Sequence, residues 1–254
     1  PAAARLAVET PRVAGSLNLR GARLDDLTLT TYRETVEPNS SFVRLLGRRD
    51  TPQPYFLQWG WTSADARTRV PDSETDWTAT GGPLAPGRPV TLSWDNGAGV
   101  TFEIALAIDA DYMVTVDQRV RNNTPDPVAV LPWARVRRDY TPRTEGFFIL
   151  HEGFVGVIGG RLNEMTYSDA RSTAQSRRGP AFEGESAGGW AGITDKYWLA
   201  AVMPAAPTQQ VRFAYRAISE GAGTAGDPLQ ADISAPKAEP GAPHPGRPQR
   251  RSCA

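Results

Sequence analysis

Apolar and polar residues alternate with a period of two along much of the chain, which is the spacing of strands buried on one face. Between Val13 and Val43 the stretch SLNLRGARLDDLTLTTY places Leu17 and Leu19, then Leu27 and Leu29, two apart with polar residues between them. The clearest pattern is GVTFEIALAIDADYMVTVDQRVRNNTPDPVAVLPWARV, where Phe102, Ile104, Leu106 and Ile108 share one face and Tyr112, Val114, Val116 and Val120 share another. Asp109-Ala110-Asp111 and Asn122-Asn123-Thr124-Pro125-Asp126 supply turn chemistry between the runs, so the spacing predicts a three-stranded antiparallel meander. Further strands are expected in GFFILHEGFVGVIGGRL (turning at Gly159-Gly160), in YWLAAVMP, and in QVRFAYRAI, where Val211, Phe213 and Tyr215 alternate with Arg212, Ala214 and Arg216. No segment shows a convincing helical period over three turns, and no repeat of fixed length is present.

Residues 61–89 are polar and rich in Pro and Gly, which reads as a long surface excursion anchored by Trp77. Strands at short spacing without helices between them predict an all-β chain, a single sandwich of two large twisted antiparallel sheets with roughly twelve or more strands. Residues 1–8 are alanine-rich and read as a linker remnant, leaving 9–233 as the domain. From 234 to 254 the chain has no Val, Leu, Ile, Phe, Tyr or Trp to offset an ordering entropy of about 1–2 kcal/mol per residue, so a disordered Pro/Arg-rich tail is expected. A shifted reading frame would also produce such a composition.

Charge narrows the function. Lys plus Arg and Asp plus Glu balance at 28 each, so no field exists to hold a phosphate backbone, and nucleic acid is not an expected partner. The single cysteine, Cys253, excludes a disulfide framework and a thiolate metal cage. The longest apolar run, Trp198 to Met203, falls far short of the ~20 residues that cross a bilayer, and the N-terminus lacks a basic segment followed by an apolar one. A soluble stretch with no membrane span and no targeting signal is expected.

Candidate chemistry is sparse. Gly184-Glu185-Ser186-Ala187-Gly188 spells G-x-S-x-G, but a nucleophile elbow needs a buried strand before the serine and a helix after it, and the flanks RRGPAFE and GWAGITD offer neither. The only base after it in the chain is His244, in the Pro-rich tail; His151 precedes the serine. His151 has no H-x-x-x-H or cysteine partner for zinc and reads as a hydrogen-bonded structural histidine. Asp109 and Asp111 suit a turn, and Asp117 the outer face of a strand, better than calcium or an acid/base pair. Gly97 and Gly99 of NGAGV have no following helix and read as a hairpin turn. Asn39 and Asn122 fit the glycosylation triplet, a pattern that also arises by chance. No cofactor, metal site or catalytic group is expected.

GGWAGITDKYWLAAVMP, residues 188 to 204, has a structural reading. Burying an indole removes about 150–250 Å² from water, worth roughly 4–6 kcal/mol gross, so Trp190 and Trp198 are expected in the core. Gly188, Gly189 and Gly192 would permit close backbone approach, and Asp195 with Lys196 would cap the turn into the next strand.

The same stretch resembles the signature of the large periplasmic domain of the YidC membrane protein insertases. VETPRVAGSLNLRGARLDDLTLTTYRET, WDNGAGVTFEIALAIDADYMVTVDQRVRNNT and HEGFVGVIGGRL are similar, in order, to other parts of that domain in its alphaproteobacterial form, over about residues 8 to 218. The resemblance implies a β-supersandwich with a structural signature at Gly189, Trp190, Gly192, Asp195, Lys196, Tyr197 and Trp198. It implies a place on the periplasmic face of the inner membrane, between the first and second membrane helices of a multi-pass protein. In the family, insertion is carried out by a bundle of membrane helices outside this stretch. The implied role is therefore noncatalytic assistance to membrane protein insertion and folding. The implied partners are the Sec translocon, its SecDF accessory proteins and nascent membrane proteins. The alternative is a carbohydrate-binding or mutarotase-like protein, because the supersandwich resembles that fold too.

Overall fold

The computed structural model describes residues 3–142, 151–195, 197–218 and 228–236. The first strands are β1 (Arg5–Glu9), β2 (Val13–Asn18), β3 (Arg23–Arg33), β4 (Phe42–Leu46) and β5 (Tyr55–Ser63). They are followed by β6 (Thr78–Thr80), β7 (Val90–Asp95), β8 (Val100–Ile108), β9 (Val114–Asn122) and β10 (Val130–Arg138). Then come β11 (Gly153–Ile158), β12 (Arg161–Thr166), the helix α1 (Tyr167–Arg177) and β13 (Phe182–Ala187). The last are β14 (Trp190–Asp195), β15 (Trp198–Val202), β16 (Gln210–Ala217) and β17 (Leu229–Ser234). The expected all-β architecture is present, with every paired strand antiparallel.

One layer is a nine-stranded sheet ordered β1-β2-β3-β5-β10-β17-β16-β13, with β4 also pairing β3. Facing it are two four-stranded sheets, β6-β7-β8-β9 and β12-β11-β14-β15. Aromatic contacts join the layers. Trp61 of β5 meets Phe102 of β8 edge-on at 5.1 Å, and Phe154 of β11 stacks on Tyr215 of β16 at 4.9 Å. The alternation read from sequence decides which side chains enter this core: Phe102, Ile104, Leu106 and Ile108 are all buried, as are Val211, Phe213 and Tyr215. Trp77 anchors its polar segment by stacking on Trp61 at 6.3 Å. That segment also carries β6 and buries Leu84 and Ala85, so only part of it is surface.

Three expectations need correction. The first is the meander: β10 does not pair with β9 but crosses to the large sheet, between β5 and β17. The connection through 123–129 contains Pro125 and Pro127, which lack the N–H of a hairpin ladder, so the chain leaves the small sheet instead of folding back on it. The second is the absence of a helix. Tyr167, Ala170 and Ala174 form a narrow buried stripe in an otherwise polar α1. Thr166 caps its N-terminus by accepting from the Asp169 N–H, and Arg178 ends it in the left-handed region at φ 52°. So thin an apolar stripe gives little periodic signal; the Thr-x-x-Asp start was the readable one. The third is the linker: Arg5–Glu9 pairs along β2, and Arg5 forms an ion pair with the buried carboxylate of Asp25. Of the tail, residues 237–254 lie outside the described residues, as do residues 143–150 of the region read as a strand from Phe147.

Candidate functional site: an apolar cleft between two strand edges

Because β10 leaves for the other layer, β9 is the last strand of its small sheet, and β15 is the last strand of the other. Among the described residues β9 pairs only with β8 and β15 only with β14. Between these edges lies a cleft of about 370 Å³. Its floor is the large sheet, through Leu24, Leu27 and Leu29 of β3, Leu46 of β4, and Leu57 and Trp59 of β5. One wall is Val114 and Val116 of β9; the other is the continuous run Trp198 to Met203. Successive residues of a strand point to opposite faces, so six consecutive lining residues mean that the edge of β15, not one of its faces, borders the space.

No charged side chain lines the cleft. Its rim is also apolar: Tyr32, Tyr112, Met113, Leu199 and Met203 are each 43–51% exposed. A cluster of exposed large apolar groups around a concavity marks a surface built for contact. At one end Tyr32 ties the two walls together. Its ring meets Trp198 edge-on at 5.0 Å. Hydrogen bonding to Thr31, then to Arg12 and to Tyr32 itself, holds the Tyr112 phenol below its ordinary value.

The wall at β15 is fixed from beneath by a buried arginine. Arg138, inward on β10 in phase with Ala134 and Val136, is 1% exposed and reaches Asp195 at the end of β14. Nη1 donates to Oδ1 at 2.7 Å and Nη2 to Oδ2 at 2.6 Å. Nη1 also donates to the Tyr167 hydroxyl at 3.0 Å, which itself donates to the Thr194 carbonyl at 3.0 Å. The guanidinium lies over the rings of Tyr55 at 4.1 Å and Tyr140 at 4.9 Å. Burial opposes the Arg138 charge, but the hydrogen bonds it donates to the Asp195 carboxylate and the electrostatics of the surrounding phenols outweigh it and hold the group above its ordinary range. The same burial raises the Tyr55 and Tyr167 phenols. Tyr55 completes the staple by donating to the Ile193 carbonyl at 2.9 Å.

The signature residues divide accordingly. Gly189, at φ 90°, sits in the turn before β14, and a Cβ there would stand 2.3 Å from the Val157 carbonyl oxygen. At Gly192 a Cβ would stand 2.3 Å from the Ala200 carbonyl oxygen, so only glycine lets β14 and β15 approach this closely. The Asp195 carboxylate holds Arg138. Tyr197 is 69% exposed. Lys196 lies outside the described residues. Trp190 and Trp198 are half-buried and not fully enclosed: Trp198 packs against the core and also borders the open cleft, and its burial comes partly from Tyr32.

The other candidates each make local structural contacts. Ser186 is buried in β13, and its hydroxyl donates to the Ala187 and Gly188 carbonyls at 3.1 and 3.2 Å, with a strand rather than a helix following. His151 Nε2 lies 2.7 Å from the Phe154 carbonyl, the structural role expected of it. Asp109 accepts from the Asp111 and Met113 N–H groups within its turn, and Asp117 pairs with Arg119 on the exposed face of β9. Among the described residues no cluster of three His, Cys, Asp or Glu could hold a metal. No helix of the described residues is long and apolar enough to cross a membrane.

A second concavity, on the outer face of the large sheet, bears on the carbohydrate alternative. It is lined by Arg135, Arg212, Arg216, Gln230, Asp232 and Trp133. The Trp133 ring lies against Gly60 on one side, and Arg135 covers its face at 3.9 Å. The guanidinium occupies an indole face on which a sugar would otherwise stack.

What sequence reading missed was Arg138, its tyrosine cage and the cleft. The readable signal for Arg138 was its phase: counting by two from Ala134 and Val136 places a charge inside.

Residues 5–240 match the family described as the YidC periplasmic domain. The chain is 53% identical over 213 residues to the membrane protein insertase YidC of Granulibacter bethesdensis, covering 84% of this chain and 37% of that protein. It is 47% identical over 226 residues to that of Acidiphilium cryptum, covering 87% of this chain and 37% of that protein. To that of Methylorubrum extorquens it is 44% identical over 206 residues, covering 79% and 33%. The chain thus spans about a third of the length of these relatives. On the fold and the match along nearly its whole length, the chain belongs to the YidC periplasmic domain family.

Proposed function

We propose that this chain is a noncatalytic module on the periplasmic face of the bacterial inner membrane, part of an insertase, and that it assists insertion and folding by shielding apolar segments of nascent membrane proteins. The observation that carries the reading is the uncharged cleft with five exposed apolar groups on its rim, in a chain of this family. A segment leaving a translocation path exposes surface whose hydration is costly, and a concave apolar surface lowers that cost. The signature glycines, Asp195 and Trp198 serve this role structurally by placing β15. Docking to the Sec translocon or to SecDF belongs to the same proposal, since it would bring the cleft close to emerging segments.

The test uses the membrane-embedded parent protein with a photo-crosslinking residue at Met113 during insertion of a defined membrane protein. Adducts with an apolar segment of that substrate are expected, and none from the same probe at exposed Val36. Hydrolysis of esters by the purified chain that disappears in Ser186→Ala, with no adducts at Met113, would overturn the reading.

A further inference from the structure

We infer that the cleft is a strand-accepting slot, which takes an extended, uncharged apolar peptide segment as an added strand between β9 and β15. The inference deepens the proposed shielding role and rests on it only for the source of the segment.

Three observations carry it. First, both walls are strand edges. Hydrogen-bonded strands lie about 4.7–4.9 Å apart. Cα atoms of β9 and β15 are more than 8 Å apart over most of their length, yet both strands line one cleft. Too far apart to pair directly, they flank a shared cleft of about 370 Å³ into which an extended segment can be laid. Second, the edges present backbone N–H and C=O groups with no ladder partner among the described residues. An occupant that satisfies them brings a backbone of its own; an acyl chain has none. Main-chain pairing supplies affinity, and alternate side chains supply selectivity. Third, the charge pattern restricts the side chains. The floor offers leucines and Trp59 and no charge, so a charged group entering it would lose hydration without a partner. The rim methionines, Met113 and Met203, are flexible enough to cover different apolar side chains.

An unpaired edge is also a hazard, because it templates pairing with another chain. On the outer face of β9 stand Asp117, Arg119 and Arg121, all charged and exposed, which suits an edge guarded on one side and open to a segment on its inner, apolar side. That distribution favours a separate peptide over a second copy of this chain.

The test is calorimetric titration of the purified chain with an acetylated, amidated heptapeptide alternating valine or isoleucine with serine or threonine. Two analogues carry N-methyl groups on the odd or on the even amides. Inserted between two edges, the peptide directs alternate amides to opposite walls, so methylation of either set is expected to weaken binding at least tenfold. Val116→Arg, which places a charge in the wall, is expected to abolish binding while leaving the circular dichroism spectrum unchanged. Absence of saturable binding at millimolar peptide would overturn the inference. So would methylated analogues that bind within threefold of the parent, retention of the chain on neutral phosphatidylcholine vesicles in place of peptide binding, or a chain dimer that the peptide does not dissociate. This titration involves no membrane, so it and the crosslinking test can fail independently.

Discussion

Arg138 and Asp195 form a two-pronged ion pair, at 2.7 and 2.6 Å, between the central strand of the large sheet and the end of the hairpin that walls the cleft. The pair is almost closed to solvent on the arginine side, with side-chain exposure of 2% against 29% for the aspartate. Removing one partner of such a pair leaves the other charge buried and uncompensated, at a cost of about 3–5 kcal/mol. Asp195→Asn is therefore expected to lower unfolding free energy by about 3 kcal/mol in urea titration. Replacing both groups with apolar ones, Arg138→Met with Asp195→Leu, is expected to cost less than either single change.

Arg5 predicts an effect of truncation. It bonds Asp25, which is 1% exposed, and its Nε donates to Ser16 Oγ at 2.8 Å. A chain beginning at residue 9 loses both this cation and strand β1. The expected result is a loss of at least about 3 kcal/mol relative to the chain beginning at residue 1, read from the shift in denaturation midpoint.

Gly192 predicts the behaviour of the cleft wall alone. In Gly192→Ala the new methyl would meet the Ala200 carbonyl oxygen, so β15 must move away from β14. Overpacking of this kind costs about 1–3 kcal/mol. Hydrogen exchange should accelerate at Ala200, whose N–H lies on the β14 side of β15, while β8 stays protected.

Two tryptophans separate core from cleft. Trp77 is 5% exposed and stacked on Trp61, so Trp77→Ala is expected to cost about 3–5 kcal/mol. Trp198 is half-buried against Tyr32, and Trp198→Ala is expected to cost about half as much. Thermal unfolding of the two variants side by side checks the order.

Stability should fall at both ends of the pH range. Backbone hydrogen bonding from Glu74 and the Thr75 hydroxyl hold the Asp72 carboxyl below its ordinary value, and Arg48 and Arg20 do the same for Asp50 and Asp76. A carboxyl depressed in the folded state stabilises above its unfolded value, and that contribution disappears as pH falls below about 4. Burial raises the phenols of Tyr55, Tyr167 and Tyr215, so their contribution is complete below about pH 10 and is lost as pH rises further, when the unfolded chain ionises first. Urea midpoints should be flat between these limits, and a rise in stability from pH 10 to 11 would contradict the assignment.

Strand content was legible because period-two alternation is local: Phe102 to Ile108 and Val211 to Tyr215 announce their buried faces without reference to any partner. Pairing was not, because it depends on where a connection delivers the chain. The run from Val100 to Arg138 looks like three adjacent strands, yet its third strand belongs to the opposite layer. The cleft was illegible for the same reason, since it exists only because β9 lacks the neighbour that the sequence suggested. Trp198 shows the limit of composition: its hydrophobic area argued for the interior, but the fold places it at a boundary where part of that area faces a space still to be filled.

The central claim is that this space, between β9 and β15, is the working surface of the chain. Hydrogen exchange across the whole chain, with and without saturating alternating heptapeptide, tests it most directly. Slowed exchange confined to β9 and β15, with the β1 edge and the Arg135–Arg212 face unchanged, is the predicted result; protection on that arginine face, or none at either edge, would contradict it.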